Sequence, residues 1–278
     1  MEYAWEKLQH DPNNDDAQED FLLEAQPVPQ ELSHRQRKSS SSSSSAWNEI
    51  YVGALVPKKD LVGSHPIRLA RYALLETMVK DDDGGGVKTD GSGIQVLNLV
   101  IFPKFGCSLI PVFGADLVSL PGNKHLIAID FQPLSEDASL DQVFSGREAL
   151  ETRLRVAYET YGSKFEWGGD IPDAAKRYFS KYCVWTRLSG DDATNMIEQY
   201  VYDAFCEYLD IYLELAQNAF IHLKDVGEVD HDCVIEHGQN SYLSYRKAND
   251  PARPMLKSLF GEEFTERLIG KILFNKGK

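Results

Sequence analysis

Apolar residues in the first two thirds of the chain come in short runs typical of β-strands. "IYVGALVP" (50–57), "IQVLNLVIF" (94–102), "LIPVF" (109–113) and "CVWTRL" (183–188) are rich in β-branched and aromatic residues. "FGADLVSLPGNKHLIAIDFQP" (113–133) reads as two strands joined by a tight turn at "PGNK". Later the period lengthens to that of a helix. "REALETRLRVAYETYG" (147–162) places Leu150, Leu154, Ala157, Tyr158 and Tyr161 on one stripe. From about Asp191 to Phe220, apolar residues recur at Ile197, Val201, Phe205, Tyr208, Tyr212 and Leu215, which predicts a long buried helix. A last helix is expected to start at "DPARP" and run through "MLKSLFGEEFTERLIGKILF". Strands followed by helices predict an α+β fold, with helices covering an antiparallel sheet.

The hairpin carries two carboxylates among apolar neighbours. With Gly122 and Asn123 at the turn centre, Leu120 opposes His125 and Asp116 opposes Ile129. Asp116, Val118, Leu120, His125, Ile127 and Ile129 then share one face, and Asp130 lies on the other, opposite Ala115. By the same alternation Asn98 sits with Val96, Val100 and Phe102. A buried ionised carboxylate is costly unless it pairs, takes up a proton or faces a polar ligand. Two readings therefore stand for Asp116, a turn- or edge-bound carboxylate and a functional one. Asn98 is either a satisfied core amide or a ligand contact. Asp250, in "KANDPARP", precedes Pro251 as an N-cap precedes a proline at the first helical position. Arg246 and Arg253 flank it; each either pairs with a carboxylate of the protein or holds the acid group of a ligand.

Composition narrows the classes. The 278 residues are 42% hydrophobic and 26% charged, enough for a sizeable core. A net charge of −14 argues against a nucleic-acid partner. No apolar run reaches the length of a membrane span, and the acidic start "MEYAWEKLQHDPNNDD" is unlike a signal or transit peptide. A soluble protein is expected, any targeting segment being absent from the sequence. Cys107, Cys183, Cys206 and Cys233 are far apart and form no CxxC pair, which argues against structural zinc or an iron–sulfur cluster. Residues 1–25 read as an acidic amphipathic helix ending at "QPVPQ", and "HRQRKSSSSSSS" (34–45) as a linker by composition. These set residues 1–46 apart from a single domain over 47–278. "KDDDGGGVKTDGSG" (80–93) reads as a polar connection between strands. "DHDCVIEHG" (230–238) clusters potential metal ligands without a standard spacing, and a polar loop between helices is the favoured reading. Neither GxxxxGK[ST], GxGxxG after a strand, GxSxG nor HExxH occurs.

Taken in order, "IQVLNLVIFP", "PVFGADLVSLPGNKHLIAIDFQPL", "YLDIYLELA", "YRKANDPARPMLKSLFG" and the closing "ILF" resemble the ferredoxin-dependent bilin reductases, over roughly residues 47–274. The resemblance is strongest to the phycoerythrobilin-forming branch. It implies a three-layer α/β/α sandwich in which a central antiparallel sheet and C-terminal helices hold an open tetrapyrrole. It also implies no bound metal or flavin, electrons delivered singly by reduced ferredoxin, and protons supplied by the protein. On this resemblance the catalytic carboxylates are Asp116 and Asp250, and Asn98, Arg246 and Arg253 contact substrate. The implied substrate is 15,16-dihydrobiliverdin, with biliverdin as the rival and a non-catalytic bilin carrier as the alternative of another class. A proton donor must hold its proton near neutral pH, so an apolar sheet face that raises an Asp above about 3.9 suits the task. Phycocyanobilin-forming relatives carry His at the Asn98 position and a Glu near Ala73. Phytochromobilin-forming ones have Asp at the Asn98 position and Asn at the Asp116 position; this chain reverses that pair. Ferredoxin is acidic, so a basic face is expected from Pro57–Lys59, Arg68, Arg71, Lys104 and the C-terminal lysines. A monomer is expected, in a plastid stroma or a cyanobacterial cytoplasm, with an upstream bilin reductase as a source of substrate.

Overall fold

The computed structural model describes residues 2–9, 23–26, 28–38, 47–59, 65–78, 93–104, 110–134, 140–226 and 232–275. Among the described residues the strand patterns become one eight-stranded sheet in which every pairing is antiparallel. Its members are β1 (Leu23–Ala25), β2 (His34–Lys38), β3 (Trp47–Pro57), β4 (Ile67–Met78), β5 (Gln95–Pro103), β6 (Val112–Leu120), β7 (Lys124–Gln132) and β8 (Val184–Ser189). From β3 to β8 the strands lie in chain order, and β1 and β2 both pair with β3. β2 takes the first five residues of the stretch read as a linker, because "HRQRK" finds an open edge on β3. The serines and residues 80–92 lie outside the described residues. Of the helix expected over 1–25, the described part is α1 (Glu2–Gln9); the short helices α2 (Gln30–Ser33), α3 (Leu140–Val143), α5 (Asp173–Lys176) and α6 (Ala193–Met196) lie in the connections.

Both sheet faces are apolar, so both are covered. On one, Phe113, Ala115, Ile127, Ile129 and Phe131 pack against α4 (Glu148–Thr160) and α7 (Tyr202–Val226). The predicted stripes supply the contact, with Leu150, Leu154, Ala157, Tyr208 and Tyr212 all buried. A π-helical stretch, Ile197–Val201, leads into α7. On the other face Val52, Leu69, Val100 and Phe102 meet the C-terminal helices α8 (Asp232–Ala248), α9 (Arg253–Phe260) and α10 (Glu262–Leu268). The result is the expected α/β/α sandwich. α8 begins at Asp232, so the end of the "DHDCVIEHG" cluster is helical rather than loop, while residues 230–231 lie outside the described part.

Two further sequence expectations change. The last helix is broken at Gly261, whose φ of 89° and ψ of 162° belong to backbone that glycine alone adopts readily. The break lets α10 and the π-turn Ile269–Leu273 fold back, so that Leu268 and Leu273 join the second core. The hairpin is the second. Leu120 pairs with Lys124 and Ser119 with His125, leaving Pro121, Gly122 and Asn123 as a three-residue loop. Gly122 (φ 80°) and Asn123 (φ 53°) both take left-handed backbone. Asn123 is tied down there, donating to the Gly190 carbonyl at 2.5 Å. One extra loop residue shifts the partner strand by one and turns all of β7 over. Ile127 and Ile129 therefore face α7, not Asp116, and Asp130 shares the face of Asp116, opposite Gly114 rather than Ala115.

Candidate active site

The register sets a polar row into an apolar surface. Ala73 on β4 pairs with Asn98 on β5, and Asn98 pairs with Asp116 on β6. The Asn98 amide Nδ2 donates to Asp116 Oδ1. Behind them Arg71, 1% exposed, donates from Nη1 to Asn98 Oδ1 at 2.7 Å. Arg246, from the last turn of α8, brings Nη2 to 3.7 Å from Asp116 Oδ2. The guanidinium groups of Arg71 and Arg246 lie 5.1 and 5.7 Å from the centre of the Phe274 ring.

This row borders a cavity of about 430 Å³ between the sheet and the C-terminal helices. Its sheet side carries Ala73, Leu75, Val96, Val118, Leu120 and Leu126, with Arg71, Asn98 and Asp116 as the polar exceptions. The helical side carries Arg246, the Asp250–Pro251–Ala252 turn, and apolar groups from α9, α10 and Phe274. Apolar walls with a few convergent polar groups, two of them cationic, suit a largely hydrophobic ligand bearing acid groups. Arg71 and Arg246 each bury an Nε with no hydrogen-bond partner, an unusual state for an interior N–H.

Asp250 borders the same cavity as Asp116, from the helical side. The N-cap reading does not hold, since the N-cap of α9 is Ala252, two residues later. Asp250 Oδ1 accepts from the Ala252 N–H at 2.8 Å and so stabilises the turn before α9, which starts at Arg253 rather than at Pro251. The residue still lines the cavity. Burial raises its pKa above the usual Asp value, against the opposing pull of the Ala252 N–H and the Arg246 charge.

Arg253 goes elsewhere. Its guanidinium is taken up by Glu266 and the Lys247 carbonyl, and it does not line the cavity. Arg68 and Arg71, both expected on a ferredoxin-facing surface, are turned inward. Arg68 lies over the Phe102 ring and 3.4 Å from Gln239, and Arg71 lines the cavity. Lys58, Lys59 and Lys104 remain at least partly accessible, as does Lys271, while Lys276 and Lys278 lie outside the described residues. The sequence carried a signal for Arg71. In "LARYALL" it is the lone charge on the face shared by Leu69, Ala73 and Leu75, the same anomaly that marks Asp116.

Asp130 is structural in its contacts. Buried at 1% exposure, it accepts from Ser180 Oγ at 2.5 Å and from the Ser180 N–H at 2.9 Å, away from the cavity lining. Gly114 opposite it leaves room for Gln132, since a Cβ there would come within 2.8 Å of the Gln132 amide; Gln132 accepts from the buried Tyr242 hydroxyl at 2.5 Å. Burial pushes the Asp130 pKa up to about 7. Between about pH 4 and about pH 7 the folded chain thus holds a proton that the unfolded chain has released, so stability is lost as pH rises through that window. Thermal melts are expected to show this slope, and Asp130→Asn to flatten it. Parallel slopes in the two proteins would refute the assignment.

The family pattern described as "Ferredoxin-dependent bilin reductase" matches residues 14–275. Phycoerythrobilin:ferredoxin oxidoreductase of Prochlorococcus marinus subsp. pastoris is 42% identical over 187 residues, covering 66% of this chain and 67% of the relative. The protein of the same name from Nostoc punctiforme is 40% identical over 185 residues, with the same coverage of each chain. Among solved structures, phytochromobilin synthase from tomato, in complex with biliverdin, superposes with a TM-score of 0.64. It is 24% identical, and the superposition covers 92% of this chain and 77% of that one.

Proposed function

The chain belongs to the ferredoxin-dependent bilin reductase family and is an oxidoreductase; from that premise we propose that it reduces 15,16-dihydrobiliverdin to phycoerythrobilin. The reaction adds two electrons and two protons across the A-ring diene. Ferredoxin dependence supplies the electrons, one at a time. Each electron makes the pigment more basic, and a proton donor must then be within reach. The observation that carries the reading is the pair of carboxyl groups, Asp116 from the sheet and Asp250 from the helical side, bordering one apolar cavity.

The cavity would hold the tetrapyrrole between the β-sheet and the α9–α10 hairpin, its rings against aliphatic side chains and its propionates toward cations. Arg246 is the propionate partner we assign, because Arg253 is committed to Glu266. Asp250 is suited to act as an acid since burial keeps its proton on to higher pH than in a free Asp. After transfer, each carboxylate is left beside a group that stabilises negative charge: the Ala252 N–H for Asp250, and Asn98 with Arg246 for Asp116. Solvent protons then restore both acids.

An absorbance-monitored assay tests the substrate. With a ferredoxin-reducing system, dihydrobiliverdin is expected to give phycoerythrobilin, and biliverdin to bind without reaching that product. Conversion of biliverdin to phycoerythrobilin would replace the two-electron reading by a four-electron one. Pigment that binds and is never reduced would mark a carrier.

A further inference from the structure

The carboxamide of Asn98 stands between Arg71 and Asp116, and its polarity is fixed by chemistry. A guanidinium has only donors, so the Asn98 atom 2.7 Å from Arg71 Nη1 must be the carbonyl oxygen. Nδ2 then points at Asp116 and donates to Oδ1. Oδ1 is thereby an acceptor, and a proton resident on Asp116 belongs on Oδ2, the oxygen nearest Arg246. Arg71 is held in this role by its surroundings. It is 1% exposed, with its guanidinium 5.9 Å from the centre of the Phe102 ring and 5.1 Å from that of Phe274.

We propose that Arg71 is a positioning residue for the reduction: by setting the orientation of Asn98 it assigns the transferable proton of Asp116 to Oδ2. The O–H bond at Oδ2 breaks as a C–H bond forms on the one-electron-reduced pigment. The electron pair of the O–H bond stays on the carboxylate. Asn98 continues to donate to Oδ1, and Oδ2 now faces the Arg246 cation, so the new charge appears where donors already point. Without Arg71 the amide is free to turn over and present its oxygen to Asp116, where a proton on Oδ1 is held in a hydrogen bond to the amide. The proposal rests on Asp116 being a proton donor.

Arg71→Met and Arg71→Lys separate this role from a packing role. In anaerobic turnover with dihydrobiliverdin and reduced ferredoxin, Arg71→Met is expected to lower kcat about tenfold or more while KM stays within about threefold. Arg71→Lys keeps a cation with donors only and is expected to recover most of the rate. Because Arg71 acts through Asp116, Arg71→Met is expected to add nothing to Asp116→Asn, whereas a packing defect would add. Should Arg71→Met fail to fold by circular dichroism, Arg71→Gln serves: its own amide can accept as well as donate, and the same loss of kcat is expected. Wild-type kcat in the folded variant, equal losses in Lys and Met, or additivity with Asp116→Asn would overturn the proposal. If Asp116→Asn itself turns over normally, the proton-donor reading fails; if it is inactive while Arg71→Met is fully active, only the role of Arg71 fails.

Discussion

Asp250→Asn is expected to bind dihydrobiliverdin nearly as the wild type does and to lose turnover by about 10²–10⁴-fold, the range a positioned general acid contributes. The amide oxygen of Asn can still accept from the Ala252 N–H, so the turn before α9 survives. What goes is the proton. Asp250 is 9% exposed, and the burial that raises its pKa leaves an amide of the same shape equally well packed. In the wild type the step that Asp250 serves should slow as pH rises through its elevated pKa, because the folded enzyme then loses the acid form. Asp250→Asn should lack that limb. Stopped-flow absorbance across pH checks both expectations, and a variant with the wild-type rate and profile would remove Asp250 from the mechanism.

Arg246→Met is expected to weaken bilin binding by about 30-fold or more, corresponding to the roughly 2 kcal/mol or more lost when one partner of a buried, hydrogen-bonded charge pair is removed. The guanidinium stands beside Asp116 and over the Phe274 ring, with its Nε buried and unpaired. Met preserves much of the aliphatic bulk, so the loss should be one of charge rather than of shape. The same change on Arg253, which serves Glu266 outside the cavity, should leave binding within about threefold. Fluorescence or absorbance titration distinguishes the two, and equal effects of the two substitutions would refute the assignment of the propionate site.

Period and alternation carried most of the architecture, because they report burial directly. The stripes of α4 and α7 and the strand runs of β3, β5, β6, β7 and β8 are each written into short windows of sequence. The hairpin register is not. It depends on whether the loop holds two residues or three, and that is decided by Asn123 taking left-handed backbone and donating to Gly190, 67 residues away in the chain. One residue moved Asp130 onto the face of Asp116, where pleat parity had separated them. The break at Gly261 does not show in the amphipathic periodicity, which continues through it, although a glycine marks the spot. At the site, Asp116 and Asn98 stood out as polar groups on apolar strands, and Asp250 stood out beside a proline. Arg71 met the same criterion as Asp116, but a cation in a charged segment is more readily read as surface. Arg253 shows the converse limit, since nothing local tells a cavity-lining guanidinium from one claimed by a carboxylate 13 residues further on.

Asp116→Asn, mixed anaerobically with dihydrobiliverdin and reduced ferredoxin and followed by absorbance and electron paramagnetic resonance, probes most directly whether the protein's own acids protonate the pigment. The variant should take up the pigment, accept an electron and accumulate the radical without forming phycoerythrobilin. Phycoerythrobilin appearing at the wild-type rate would contradict that account.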